Sequence, residues 1–279
     1  MTNKNVLLID TSYTTFHRFF ASLRWYSFAK KDKINDSSYD WSKNEDFMNN
    51  YTKMYLKGII DLVGENIFKK SILIFCLDAP HETLWRHQLS NQCYKGNRID
   101  MTKKHNYRPV FEFTYDVLIP NLIKTHSNIH KISIPSLEAD DLIALSTRYI
   151  RHKRPNHIVY VLSGDNDFLQ LGYKNLYIID YKKDMIHMTR EDAREALRQK
   201  IVSGDCSDNI LSIFPPGINN KIKKLVRENK NEMFKFINAN AEARELYEHN
   251  KRLISFRYIP KHFRKPVYNI IKKLELELY

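Results

Sequence analysis

The sequence predicts an α/β fold: a central, mostly parallel sheet flanked by helices, with a helical region after it. Three observations carry that prediction. Short apolar runs of strand length alternate with helix-length segments. The runs are apolar throughout, as suits strands buried on both faces. Acidic residues stand just beyond the first four runs, and open parallel sheets carry function at the carboxyl ends of their strands.

The predicted strands are Val6–Ile9, Ile72–Leu77, Ile132–Ile134, Ile158–Leu162 and Leu176–Ile179. Helix-length segments lie at about Phe47–Asn66, Val110–Thr125, Glu138–His152 and Arg190–Lys200. This β-α-β order defines an α/β domain over residues 1–205, with a helical C-terminal region over 206–279. Ser27–Asn44 is polar and reads as a loop. His81–Arg108 carries six Lys/Arg against two acids, with Trp85, Tyr94 and Tyr107 interleaved. Residues 221–279 carry 15 Lys/Arg against seven Glu.

The chain has 279 residues, 43% of them hydrophobic, so it can build a real core. Its net charge of +13 points to a polyanionic partner. Nucleic acid fits better than a membrane, because no apolar run reaches the roughly 18 residues of a spanning helix. The N-terminus has no signal-peptide pattern. Three widely spaced cysteines, Cys76, Cys93 and Cys206, exclude a disulfide framework or zinc ribbon and fit a reducing cytoplasm.

Nine acids fall at predicted strand ends or adjoining turns: Asp10, Asp78, Glu138, Asp140, Asp141, Asp165, Asp167, Asp205 and Asp208. Left bare together, they would repel. Hard divalent cations resolve this, and Mg²⁺ or Mn²⁺ suits oxygen donors. Two such ions about 4 Å apart activate water and stabilise the leaving oxygen of a phosphodiester. Taken singly, an Asp after a strand is more often a helix cap than a ligand. Five acid-bearing turns at one sheet edge outweigh that reading.

Four motifs follow in order: Tyr94-Lys95-Gly96-Asn97-Arg98, Glu138-Ala139-Asp140-Asp141, Gly164-Asp165-Asn166-Asp167-Phe168-Leu169-Gln170-Leu171 and Gly204-Asp205-Cys206-Ser207-Asp208-Asn209-Ile210. They resemble the Y-K-x-x-R, E-A-D-D, G-D-x-D-x-x-Q-L and G-D-x-S-D-N-I motifs of the flap endonuclease and 5′–3′ exonuclease family. With Asp10 and Asp78, the resemblance covers about residues 5–227, and its length is similar to the bacteriophage branch, which includes phage-type ribonuclease H.

The resemblance implies a pair of Mg²⁺ ions, with Mn²⁺ as substitute. Asp10, Asp78, Glu138, Asp140 and Asp141 would serve the first ion, directly or through waters. Asp165, Asp167, Asp205 and Asp208 would serve the second, with Asp165 essential to cleavage. Lys95 and Arg98 would face the scissile phosphate from the base of a helical arch within His81–Arg108. Tyr94 would stack on a base, and Arg86 is a further substrate-binding candidate. The physics agrees: a lysine near the metals meets developing phosphate charge, an arginine fork matches phosphate oxygens, and an aromatic holds an unstacked base.

The family's helix-hairpin-helix turn, G-I-G, appears as Gly217-Ile218-Asn219. Asn is the next best residue to glycine where φ is positive, so the hairpin is expected and its K⁺ site is in doubt. Lys221, Lys223 and Lys224 would then add phosphate contacts. The expected substrates are DNA with 5′ flaps, nicks or gaps, and RNA–DNA hybrids such as annealed primers. Replication proteins are candidate partners, the expected state is a monomer, and the expected location is the cytoplasm, that of the host cell if the chain is phage-encoded. The alternatives are a non-cleaving protein that holds branched DNA on the same fold, and a PIN-like ribonuclease. A dehalogenase-type phosphatase is excluded, because Asp10-Thr11-Ser12 lacks the second Asp of D-x-D.

Setting the nine acids aside leaves +22 on the rest of the chain. The molecule should be a basic clasp around an acidic pocket.

Overall fold

The computed structural model describes residues 5–30, 34, 36–89, 94–96 and 105–276, with side chains as far as 274. The first strand, β1 (Asn5–Asp10), runs straight into helix α1 (Thr11–Ala29). Helices α2 (Glu45–Val63) and α3 (Glu65–Lys70) lead into β2 (Ser71–Cys76). Two short 3-10 turns, His81–Thr83 and Trp85–Gln88, follow. Then come α4 (Arg108–Phe113), a π-helical turn at Thr114–Leu118, α5 (Ile119–Thr125) and β3 (Ile129–Ile132). Helix α6 (Ala139–Lys153) precedes β4 (Val159–Leu162), β5 (Leu176–Ile179) and β6 (Met185–Ile186). Five helices close the chain: α7 (Arg190–Ser203), α8 (Asn220–Glu228), α9 (Lys230–Ala239), α10 (Ala241–Ile254) and α11 (Arg264–Leu276).

The sheet order is β3-β2-β1-β4-β5-β6. All pairings are parallel except β5 with the two-residue β6. The chain builds outward from β1 to β3, then returns and builds the other way from β4. The switch point therefore lies between β1 and β4, where such sheets form their crevice. Register fixes what meets there. Asp10 pairs with Cys76 of β2, and Ile9 pairs with Leu162 of β4. That places Asp78 and Ser163 beside Asp10.

Alternation along the strands feeds two cores. Val6, Leu8, Ile72, Ile74, Val159 and Val161 face α6 and the C-terminal helices. Leu7, Ile9, Leu73, Phe75 and Leu162 face an aromatic layer that includes Phe19, Phe47, Tyr51 and Tyr55. Val267, Ile271 and Leu274 of α11 join the first of these cores.

The predicted strands differ in extent from the observed ones. Ile134 lies beyond β3, where the chain already turns toward Ser136 at φ +69°. Helix α1 carries no clean amphipathic stripe, because it packs aromatic residues on several sides. It occupies a segment not anticipated as helix and shortens the expected loop at Ser27. Among the described residues, no helix is long and apolar enough to cross a membrane.

Candidate metal and nuclease site

The carboxylates are aimed by the backbone that follows each strand. Asp10 caps α1, its Oδ1 accepting from Tyr13 N–H at 3.1 Å. Its Oδ2 accepts from the Ser163 hydroxyl at 2.9 Å. Asp165 Oδ1 accepts from Asp167 N–H at 2.8 Å. Asp205 Oδ1 accepts from Ser207 N–H at 2.9 Å. Asp78 Oδ1 accepts from Ala139 N–H at 2.7 Å, at the start of α6. In Asp165 and Asp205 one oxygen locks the rotamer through a local hydrogen bond, as in a cap; in Asp10 and Asp78 both oxygens accept, Asp78 also from the Ser12 hydroxyl at 2.5 Å.

Gly204 enables the last of these turns. Its φ is +69°, and a Cβ there would lie 2.4 Å from the Ile210 carbonyl oxygen. The chain then closes on itself, with Asp205 and Ile210 exchanging backbone hydrogen bonds at 2.8 Å. Asn209 completes the turn in the left-handed region.

The carboxylates converge. Oxygens of Asp140, Asp165 and Asp167 lie within 4.8 Å of one another, a spacing that could hold a cation. A cavity of about 10 Å³ opens among Asp140, Asp167, Asp205 and Asp208, room for about one water-sized sphere. Burial, then the charge of Asp78, pushes the Asp10 carboxyl up to about 7. Burial, then Asp10 and Asp165, pushes Asp140 well above the usual carboxylate range. Asp78 and Asp165 are also raised, chiefly by burial. For Asp78, Asp140 and Asp165 this outweighs the nearby lysine charge, from Lys95 on all three and from Lys200 on Asp165. Hard oxygen donors clustered with unbalanced charge fit divalent cations such as Mg²⁺ or Mn²⁺.

A second charge system sits beside them. Arg86 is buried and donates to Glu138 at 2.6 Å and Asp141 at 2.7 Å. The Trp85 indole N–H donates to Asp141 at 2.8 Å. Lys95 pairs with Glu138 and lies 3.9 Å from Asp208. Burial would raise Glu138, but Arg86 and Lys95 outweigh it and hold the carboxyl at about 2. Asp141 is fully buried against Arg86, so it braces the site instead of facing the acid cluster.

Several expectations are corrected here. Arg86 has no face left for substrate, because its guanidinium is spent on two acids and the Leu253 carbonyl. Tyr94 is 4% exposed, and its hydroxyl donates to Glu138 at 3.2 Å and Asp208 at 3.1 Å. A ring so enclosed offers no platform for a base. Within the segment expected as a helical arch, Tyr94–Gly96 forms a turn with Lys95 at φ +59°. Arg98 and part of the expected arch, residues 90–93 and 97–104, lie outside the described residues.

At the hairpin, Gly217 takes φ +83° but Asn219 sits at φ −59°. Its side chain caps α8 by accepting from Lys221 N–H at 2.8 Å, so asparagine serves as a cap and not as a glycine substitute. Lys221 and Lys224 are exposed and Lys223 is half-buried.

Lys200 was not anticipated. From α7 its ammonium bonds Asp167 and lies 2.8 Å from Asp205. Its signal in the sequence was faint: a lysine five residues before Asp205, on the helix that delivers that acid.

An α/β chain whose carboxylates meet at the sheet's switch point, arranged to take divalent cations, is the class that fold and site define. The family model for the 5′-3′ exonuclease N-terminal resolvase-like domain matches residues 5–198, and the chain belongs to that family. The 5′-3′ exonuclease of Mycoplasmopsis pulmonis is 26% identical over 219 residues, covering 76% of this chain. The chain spans 62% of that relative's length. The bacteriophage T5 D15 protein, crystallised with metal ions, superposes with a TM-score of 0.65 at 17% identity over 97% of this chain and 99% of its own. A T5 5′-exonuclease structure with bound zinc gives 0.63 at 17% identity, with the same coverage of both chains. A variant of the T5 D15 flap endonuclease, in a pseudo-enzyme-product complex with DNA and metal ions, also gives 0.63, at 18% identity over 97% and 99% of the two chains.

Proposed function

We propose that this protein is a divalent-metal-dependent, structure-selective 5′ nuclease. The observation that carries the proposal is the convergence of Asp140, Asp165 and Asp167 at the switch point of the sheet. The substrates would be 5′ flaps, nicked or gapped duplexes and RNA–DNA hybrids. The biological task would be primer removal and flap trimming in the replication of phage DNA.

Asp10, Asp78, Glu138, Asp140, Asp165, Asp167, Asp205 and Asp208 would hold two cations, Mg²⁺ by preference, directly or through waters. Bound there, the cations would supply Lewis acidity and make water nucleophilic near neutral pH. The chain's own residues do the rest. Lys95, paired with Glu138 and 3.9 Å from Asp208, would meet negative charge on a phosphate. Arg98 would add a planar fork. Arg86, Glu138 and Asp141 hold α6 so that Asp140 keeps its direction. Lys221, Lys223 and Lys224 on α8 would contact the phosphates of a duplex arm, by charge and without base readout. The catalytic unit would be residues 1–205, with 206–279 as the binding region.

Asp165→Asn is the test. Cleavage of a flap substrate should vanish while duplex binding persists. A variant that cuts at the normal rate would remove Asp165 from the metal site, and a wild type that binds but never cuts would favour a non-cleaving binding protein.

A further inference from the structure

Outside the carboxylate site, a cavity of about 360 Å³ is lined by five arginines: Arg148 and Arg151 of α6, Arg190 and Arg194 of α7, and Arg257. None of its described lining residues carries a carboxylate. Arg194 has one acidic neighbour, Glu191, at 4.0 Å, and that contact is exposed. The buried Thr147 and the apolar Ala144, Ala193 and Leu197 complete the wall between α6 and α7.

We propose that this cavity is a phosphate-binding site distinct from the nuclease centre. Like charges gathered without a counter-charge repel, and a bound anion removes that cost. Arg190 and Arg194 lie in the first turns of α7, where the helix dipole is positive and favours acids. Their presence there makes sense with an anion between them and α6. Arg148 is half-buried and donates to the Phe256 carbonyl at 3.2 Å; burial, with Arg264 and Arg257, pulls its guanidinium below the ordinary value although Tyr268 acts the other way. Arginine forks match phosphate geometry better than lysines, and all five cations here are arginines. The ligand chemistry is a phosphoryl group. Two sources carry it: a backbone phosphate of bound nucleic acid, or a free phosphorylated small molecule. Helix α6 links the two sites, since Asp140 and Thr147 are ~10 Å apart along its axis.

The test has two arms, both in EDTA so that no cleavage occurs. In the first, inorganic pyrophosphate is titrated calorimetrically into wild type, the double variant Arg151→Ala/Arg190→Ala, and Lys95→Ala. Both arginines are exposed, so the double variant should fold, and its thermal transition checks this. A site in the cavity predicts at least a tenfold loss in the double variant and none in Lys95→Ala. In the second arm, duplex affinity is followed against salt, with Lys153→Ala as a control on the same helix but off the cavity. If nucleic acid is the source, the slope of log K against log salt falls by ~1–2 in the double variant and not in the control. A change in either arm supports the site and identifies the source. Unchanged pyrophosphate binding, or none in wild type, together with a slope that does not move or moves equally in the control, would overturn it.

Discussion

The ammonium of Lys200 lies 2.8 Å from the carboxylate of Asp205 and also bonds Asp167. Its charge occupies the side of the site where a second cation would bind. Against the effect of burial, Lys200 holds Asp205 below the usual carboxylate range. A cation entering there must displace this ammonium or work beside it.

Removing that competitor should tighten metal binding. Lys200→Met should raise affinity for the weaker of two Mn²⁺ ions by on the order of tenfold, about 1.4 kcal/mol. Titration followed by electron paramagnetic resonance reads this directly. Unchanged or weaker affinity would mean that Lys200 supports the bound state and does not compete with it.

Arg86 should behave as a brace. Arg86→Met leaves Asp141 buried without its cation and Glu138 with Lys95 alone, and breaking such a buried pair costs ~3–5 kcal/mol. Chemical denaturation should show that loss even without substrate. A variant with normal stability and weak DNA binding would restore Arg86 to the substrate interface.

Stability and metal binding should oppose each other at Asp10. Its folded-state carboxyl is raised to about 7, chiefly by burial. The folded chain therefore binds the proton more tightly than the unfolded chain does. The metal-free protein should lose stability as pH rises from about 4 to 7. Asp10→Asn removes the repelling charge, so it should raise the melting temperature of the metal-free protein at pH 7.5 and abolish stabilisation by Mg²⁺. Scanning calorimetry with and without Mg²⁺ checks both.

Glu138 has the opposite sign. Its folded-state carboxyl is held at about 2. Its pairing with Arg86 and Lys95 should be fully present above about 4.5 and lost as pH falls toward 2. Acid titration should show one transition in that window, and Glu138→Gln should remove it.

What was legible in the sequence was local. A strand ending in Asp, a Gly-Asp turn and the E-A-D-D run each announce themselves within a few residues. The sheet then brings them together by topology, so their convergence could be anticipated from element order. The pairings that correct the site are long-range. Arg86 meets Glu138 and Asp141 across 52 and 55 residues, and Tyr94 meets Asp208 across 114. A basic segment with aromatic residues reads as a nucleic-acid surface until burial is known. Trp85, Arg86 and Tyr94 instead tie that segment to the carboxylates. Helix α1 escaped notice because Asp10 both ends β1 and caps the helix, with no turn residues between.

The most direct test of the central claim is a single cleavage map. A 5′-labelled flap annealed to its template, incubated with wild-type protein across a Mg²⁺ titration, should be cut near the single-strand junction. Cleavage should rise with Mg²⁺, be absent in EDTA, and leave a 5′ phosphate on the downstream duplex. Cutting that is undiminished in EDTA, or no product at any Mg²⁺ or Mn²⁺ concentration, would contradict it.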